Sequence, residues 1–118
     1  MARMTPIETA QRYVEYFNSN RMGDMGRLFA EDGLWVPPND NPPTRGRDAI
    51  VAGYESLAAQ VASMTFTDAR YYQDGNVAIV EMTSMTPDGP VGRVADVFEC
   101  NEAGEILRMT GYSYSPRS

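Results

Sequence analysis

Residues Val91–Tyr114 read VGRVADVFECNEAGEILRMTGYSY, and this stretch predicts a β-hairpin that carries an acid on its apolar face. Side chains alternate between the two faces of a strand. One face of the first predicted strand is therefore formed by Val94, Asp96, Phe98 and Cys100. Asn101–Gly104 supplies turn residues, and the segment that follows is rich in β-favouring residues. The pattern places Asp96 among apolar neighbours.

An ionised carboxylate at Asp96 would be costly in that environment unless a partner compensates its charge. Desolvation raises the pKa of a carboxyl, so Asp96 could remain protonated and donate a hydrogen bond at neutral pH. The alternative is a structural acid at a bulge or strand end, bonded to a backbone amide or to an arginine. The alternation of side chains does not decide between the two.

Composition limits the possible chemistry. The chain has 118 residues, which fits one domain over 1–118, and it contains neither histidine nor lysine. Histidine bases, Ser-His-Asp triads, most zinc sites, Schiff-base lysines and phosphate-binding loops are thereby excluded. Any catalytic group must therefore be a carboxylate, a tyrosine, an arginine or a backbone group. No metal or cofactor is expected.

Charge and hydropathy indicate the expected location and partners. The net charge of −6 argues against a nucleic-acid or anionic-membrane partner. No apolar run approaches the roughly 20 residues of a membrane span, and the N-terminus lacks a signal-type apolar stretch. The single cysteine, Cys100, excludes an intrachain disulfide and suits a reducing compartment. A cytoplasmic protein is expected.

The order of predicted elements indicates an α+β fold. Thr5 and Glu8 form a capping-box pattern that begins a helix, which should end near Asn18. The elements after it are predicted as a helix at 22–30, a turn at 31–33, a short strand at 34–36, a proline-rich loop at 37–43, a helix beginning near 47, and strands at 64–73, 76–86 and in the terminal hairpin. Such segregation predicts three helices packed over the concave face of a curved antiparallel sheet.

Four short motifs carry a resemblance to a known family: Gln11–Val14, Phe29–Asp32, Gly46–Ile50 followed by Tyr54, and Ala95–Phe98. In order and spacing they resemble the ketosteroid isomerases, members of the cone-shaped nuclear transport factor 2 (NTF2-like) superfamily that also includes the SnoaL-like proteins. The resemblance covers almost the whole chain.

The resemblance implies a role for each of several residues. Tyr13 would donate to a substrate oxyanion with Tyr54 behind it, and Asp96 would be the protonated second donor. The pocket would be lined by Trp35, Tyr54, Val94, Phe98 and Met109. The resemblance also implies a homodimer, and the predicted outer face of the sheet carries apolar residues at Val77, Ile79, Val91 and Val97.

The sequence departs from the family at the proton-shuttling base. The position of the family's catalytic aspartate falls on Pro37, which cannot accept a proton. Asp40, three residues later in the loop, is the candidate substitute base. The alternative is that Asp40 is a solvated turn residue.

Three functions follow from these features. The first is a steroid delta-isomerase-like reaction on an enolisable carbonyl compound through a Tyr13/Asp96 oxyanion hole. The second is non-catalytic binding of a small hydrophobic carbonyl or phenolic ligand. The third is a SnoaL-type polyketide cyclase in which Asp96 acts as acid and base.

Overall fold

The first helix begins at the capping box that the sequence predicts. In the computed structural model, which describes residues 3–114, helix α1 spans Pro6–Asn18. The Glu8 amide donates to the Thr5 hydroxyl at 3.2 Å, and the Thr5 amide donates to Glu8 Oε1 at 2.8 Å. Two backbone donors that the helix leaves unpaired are thus satisfied, which fixes where α1 begins. Its buried face consists of Thr9, Ala10, Tyr13, Val14 and Phe17.

The remaining elements confirm the α+β class. Two more helices follow, α2 (Met22–Gly26) and α3 (Arg47–Leu57). The strands are β1 (Phe29–Val36), β2 (Thr44–Arg45), β3 (Thr65–Asp74), β4 (Val77–Thr86), β5 (Gly89–Cys100) and β6 (Ile106–Tyr114). They form one curved, unclosed sheet in the order β2-β1-β6-β5-β4-β3.

Two local predictions are wrong, and both concern residues 22–33. The second helix ends at Gly26, and Phe29 already belongs to β1, where it pairs with Ile106 of β6. Its carbonyl also accepts a hydrogen bond from Arg47 Nε on α3 at 2.7 Å. The predicted turn at 31–33 is instead a bulge inside β1, where Gly33 approaches β6 so closely that a Cβ would lie 2.9 Å from the Ile106 carbonyl. The strand predicted at 34–36 is therefore only the end of a longer one.

The sequence predicts an antiparallel sheet, but one pair of strands in the structure is parallel. Strands β3 to β6 pair antiparallel with their sequence neighbours, but β1 pairs with β6 in parallel. The 37–43 segment, which contains no helix or strand, connects the end of β1 to the edge strand β2. Within residues 3–114, none of the helices has both the length and the apolar character needed to span a bilayer.

The N-terminal segment is attached to the β5–β6 turn at Gly104. Thr9 Oγ1 donates to the Gly104 carbonyl at 2.7 Å in a buried position, and the Met4 amide donates to the Ala103 carbonyl at 3.3 Å. Gly104 has a positive φ of 87°, and a Cβ there would lie 2.3 Å from the Met4 carbonyl oxygen. Only glycine satisfies both the turn and this close approach.

We expect Gly104→Ala to destabilise the protein more than Gly75→Ala does. Both glycines have positive φ in hairpin turns, but a Cβ at Gly75 meets no atom within 4 Å. The free energy of unfolding should fall by about 1–2 kcal/mol for Gly75→Ala and by about 2–4 kcal/mol for Gly104→Ala, which adds the clash with Met4. Urea unfolding of both variants measures the difference. Equal losses of unfolding free energy in the two variants would show that Met4 can move away from a Cβ at position 104 without destabilising the protein.

Candidate functional site

A largely apolar cavity of about 240 Å³ lies between the helices and the inner face of the sheet. Strands β4, β5 and β6 form its floor, and α1, α2 and α3 cover it. The lining residues are Tyr13, Phe17, Met22, Met25, Trp35, Pro38, Tyr54, Leu57, Val61, Met64, Phe66, Ser84, Val94, Asp96, Met109 and Gly111. A concave, mostly apolar site with a few polar groups is the usual form of a small-molecule pocket.

Two buried tyrosines join the helices over this cavity. Tyr13 on α1 and Tyr54 on α3 are 4% and 3% exposed, and their hydroxyl groups share a hydrogen bond. Burial raises the pKa of both phenols well above the usual value, and the nearby Asp96 charge raises both further. Both phenols are therefore protonated at neutral pH. If Tyr54 donates to Tyr13, the Tyr13 proton remains available to a ligand.

Asp96 places a carboxyl in the same low-dielectric space. Its side chain is 4% exposed, and burial raises its pKa to about 7. Desolvation is the cause of that shift, and among residues 3–114 no cation or hydrogen-bond donor offsets it. Near neutral pH both the acid and the carboxylate are therefore populated. A group with that property suits proton transfer.

Gly111 provides the space that the Asp96 carboxyl occupies. The two residues pair directly across β5 and β6. A Cβ at Gly111 would lie 3.2 Å from Asp96 Oδ1 and 3.4 Å from Pro38 Cδ. The missing side chain leaves the carboxyl room beneath the proline-rich loop.

The structure places most, but not all, of the sequence-derived pocket residues on this cavity. Trp35, Tyr54, Val94 and Met109 line it, and the Trp35 and Tyr54 rings lie 4.7 Å apart between centroids. Phe98 does not line it: the ring is fully buried behind Tyr13, with 5.0 Å between ring centroids and an edge-on arrangement. Phe98 therefore supports Tyr13 and has no surface for a ligand.

Neither candidate position for the base reaches the cavity. Asp40 is exposed and is not among the lining residues, and Pro37 is buried without lining the cavity. Pro38 is the loop residue that closes the site near Asp96. Among residues 3–114, the titratable groups on the cavity are Tyr13, Tyr54 and Asp96.

Sequence reasoning missed several lining residues, of which Ser84 is the most informative. It is 6% exposed and belongs to the alternating inner face of β4 with Ala78, Val80 and Met82. That alternation was visible in the sequence, but its polar member was not singled out. The described residues contain no group of three or more carboxylate or cysteine ligands arranged for a metal ion. The arrangement has groups that can hydrogen-bond an oxygen and exchange a proton within a mostly apolar cavity.

Comparison with known proteins places this geometry in a family. The SnoaL-like domain family matches residues 10–109. A candidate isomerase of the SnoaL-like family from Agrobacterium tumefaciens superposes with a TM-score of 0.74 at 24% identity, covering 91% of this chain and 95% of that one. A candidate polyketide cyclase from Pseudomonas putida gives a TM-score of 0.74 at 22% identity, with 92% and 91% covered.

A third structure shares the fold at still lower identity. An NTF2-like protein from Cytophaga hutchinsonii gives a TM-score of 0.73 at 11% identity, covering 96% of this chain and 93% of that one. A search of curated proteins found no match. The matched residues 10–109 include α3 and nearly all of the cavity lining, so the chain belongs to the SnoaL-like domain family and has the NTF2-like fold.

Proposed function

We propose that this protein is an enzyme that moves a proton on a small, hydrophobic, enolisable carbonyl compound. The observation that carries the proposal is a single desolvated carboxyl, Asp96, on an apolar cavity that also contains the Tyr13–Tyr54 pair. A reaction through an enol or enolate needs a hydrogen-bond donor for the oxygen and a base for the adjacent carbon.

Tyr13 supplies the donor. Its hydroxyl is held by Tyr54, and its ring is fixed by Phe98. As negative charge develops on the substrate oxygen, a hydrogen bond from a pre-positioned phenol stabilises it without solvent reorganisation. Burial strengthens this interaction because little water competes for it.

Asp96 supplies the base, which differs from the neutral-donor role that the resemblance implies. With Pro37 at the family's base position and Asp40 exposed, no other carboxylate in residues 3–114 lines the cavity. The Asp96 carboxylate takes the proton from the α-carbon, and the resulting acid returns it to the γ-carbon for isomerisation. In a cyclisation, the enolate carbon instead attacks a second carbonyl carbon of the same substrate, and the new alkoxide takes the proton. In either reaction one carboxyl both accepts the proton and returns it.

The cavity volume limits the size of the substrate. Ligand pockets for drug-sized molecules usually occupy about 300–1,000 Å³, and this cavity has about 240 Å³. A two-ring compound fits better than a four-ring steroid. We therefore propose the isomerase reaction on a substrate smaller than a steroid.

Binding without turnover is the second candidate. It is favoured by the absence of a separate base on the cavity in residues 3–114, since the donor groups alone would recognise a carbonyl or a phenol. The two candidates differ in whether Asp96 must ionise.

We further propose that the protein is a homodimer through the outer face of its sheet. Ile79 pairs with Val97, Ala95 pairs with Tyr112, and Ile79 and Tyr112 are 36% and 59% exposed. Glu81 is on the same face of β4 as Ile79, and Arg93 is on the same face of β5 as Ala95, so a two-fold partner can present opposite charges.

Substitution of Asp96 separates catalysis from binding. Asp96→Asn keeps a hydrogen-bond donor but cannot accept a proton, so kcat on a bicyclic β,γ-unsaturated ketone should fall by about 10²–10⁴-fold. Wild-type kcat/KM should rise with pH, reach half of its maximum near pH 7 and level off above about pH 8, as Asp96 becomes ionised. Absorbance of the conjugated product measures both.

Asp40→Ala is the matching test of the loop carboxylate and should leave kcat unchanged, because Asp40 is exposed and away from the cavity. Retention of activity in Asp96→Asn would assign Asp96 to the oxyanion hole. A loss confined to Asp40→Ala would make the loop residue the base. An absence of wild-type turnover with retained phenol binding would favour the second candidate.

Asp96 should also make stability depend on pH. Its pKa is raised from 3.8 to about 7, so the folded state binds more protons and stability falls as pH rises from about 4 to 7. At about 1.4 kcal/mol per pKa unit, Asp96→Asn should be more stable than wild type by up to about 4 kcal/mol at pH 8. Near pH 4 the Asp96 carboxyl should make no difference between the stabilities of wild type and Asp96→Asn.

Urea unfolding at both pH values provides the measurement. Asp88→Asn, an exposed acid in the β4–β5 turn, serves as the control and should follow the wild type. A gap between Asp96→Asn and wild type that does not change with pH would show that the carboxyl is not desolvated in solution.

Sedimentation tests the dimer. At micromolar concentration the wild type should sediment with twice the mass of the 13.1 kDa chain. Ile79→Asp should give the single-chain mass, because a carboxylate would then be buried in the apolar interface. A monomeric wild type would refute the dimer proposal and leave the cavity chemistry unaffected.

A further inference from the structure

The cavity has a second polar group far from the acid, the Ser84 hydroxyl. Ser84 is only 6% exposed, so it is more than nine-tenths buried, and it lines the cavity. No hydrogen bond joins its hydroxyl to another group in residues 3–114. No side-chain nitrogen or oxygen in that range is both sealed and unpartnered. The Ser84 oxygen must therefore open onto the cavity, where a ligand can reach it.

Strand register gives the spacing between Ser84 and the acid. Val80 pairs with Asp96, and Ser84 lies four residues further along β4 on the same face. Four residues of extended strand span about 13 Å. With a contact of about 3 Å at each end, the part of a ligand between the Asp96 carboxyl and the Ser84 hydroxyl spans roughly 7–13 Å, depending on direction. A two-ring skeleton with an oxygen at each end spans this range.

The surroundings of Ser84 define the chemistry of the far oxygen. Ser84 pairs with Phe66 on β3, and the Phe66 ring stacks on Phe17 with 4.0 Å between centroids. Asn18 fixes this edge: its Nδ2 donates to the Phe66 carbonyl at 3.0 Å, and its Oδ1 accepts from the Phe66 amide at 2.7 Å. The other lining residues at this end, Leu57, Val61 and Met64, carry no charge. The far group must be neutral, a hydroxyl or a ketone, because nothing there compensates a charge.

We propose that Ser84 is a specificity-determining residue that binds a second, neutral oxygen at the far end of the substrate, so that the natural substrate class is a two-ring carbonyl compound oxygenated at both ends. This inference rests on the proposed function, since it assumes that the first oxygen binds at Tyr13 with the reacting carbon beside Asp96. The hydroxyl both donates and accepts, so it recognises either a ketone or an alcohol.

Two probes of similar size test the role of Ser84: naphthalene-2,6-diol has a hydroxyl at the far end, and 6-methyl-2-naphthol has a methyl group there. At pH 6, where Asp96 is mostly protonated, calorimetry should show wild type binding the diol about 3–10-fold more tightly. In Ser84→Ala this preference should vanish or reverse, because the far hydroxyl is then buried without a partner. Affinity for the methyl probe should change little.

Thr83→Ala is the control. It removes a hydroxyl from the adjacent residue of β4, which faces the opposite side of the sheet, and it should keep the preference for the diol. A preference that persists in Ser84→Ala, or equal wild-type affinities for the two probes, would overturn the role of Ser84 and leave the proposed function standing. If neither probe binds the wild type, the proposed function fails, and this inference fails with it.

Discussion

The desolvation of one carboxyl is the constraint on which the site depends. Asp96 is enclosed by its neighbours on β4 and β6 and by the helices above, and its pKa of about 7 exists only while that enclosure holds. A protein that holds an uncompensated acid in an apolar space loses stability at neutral pH. In return it keeps a group that can take up and release a proton near pH 7 without a histidine.

The helices contribute the second half of the site. Tyr13 on α1 and Tyr54 on α3 are 41 positions apart in the chain, and their shared hydrogen bond forms only when both helices lie on the sheet. Phe98 and Trp35 fix the two rings by edge-on and tilted contacts. The Tyr13 hydroxyl, the proposed oxyanion donor, is thus held in place by several packing contacts together.

A proline-rich loop covers the site at Asp96. The proline-rich segment at 37–43 brings Pro38 over Asp96 and Gly111. A single carboxyl on the cavity and an apolar residue over it both support the proposed single-carboxyl mechanism. The shared fold at 22–24% identity with a candidate cyclase and a candidate isomerase is compatible with either outcome, because fold alone does not assign chemistry.

The sequence alone determined the elements whose signals are local. The capping box fixed the start of α1, and alternation fixed the inner face of β5, because both depend on residues a few positions apart. Propensity failed at 22–33. There, the parallel pairing of β1 with β6 and the hydrogen bond from Arg47 to the Phe29 carbonyl override the local preference for a helix and a turn.

Only the tertiary structure decided what surrounds each side chain. It showed that Asp40 is exposed, that Phe98 lies behind Tyr13, and that Ser84 opens onto the cavity. None of these follows from spacing, because each depends on how the loop and helices pack across the sheet. The raised pKa of Asp96 also depends on the tertiary structure. Its residue type and face were readable in the sequence, but its desolvation is produced by side chains from distant parts of the chain.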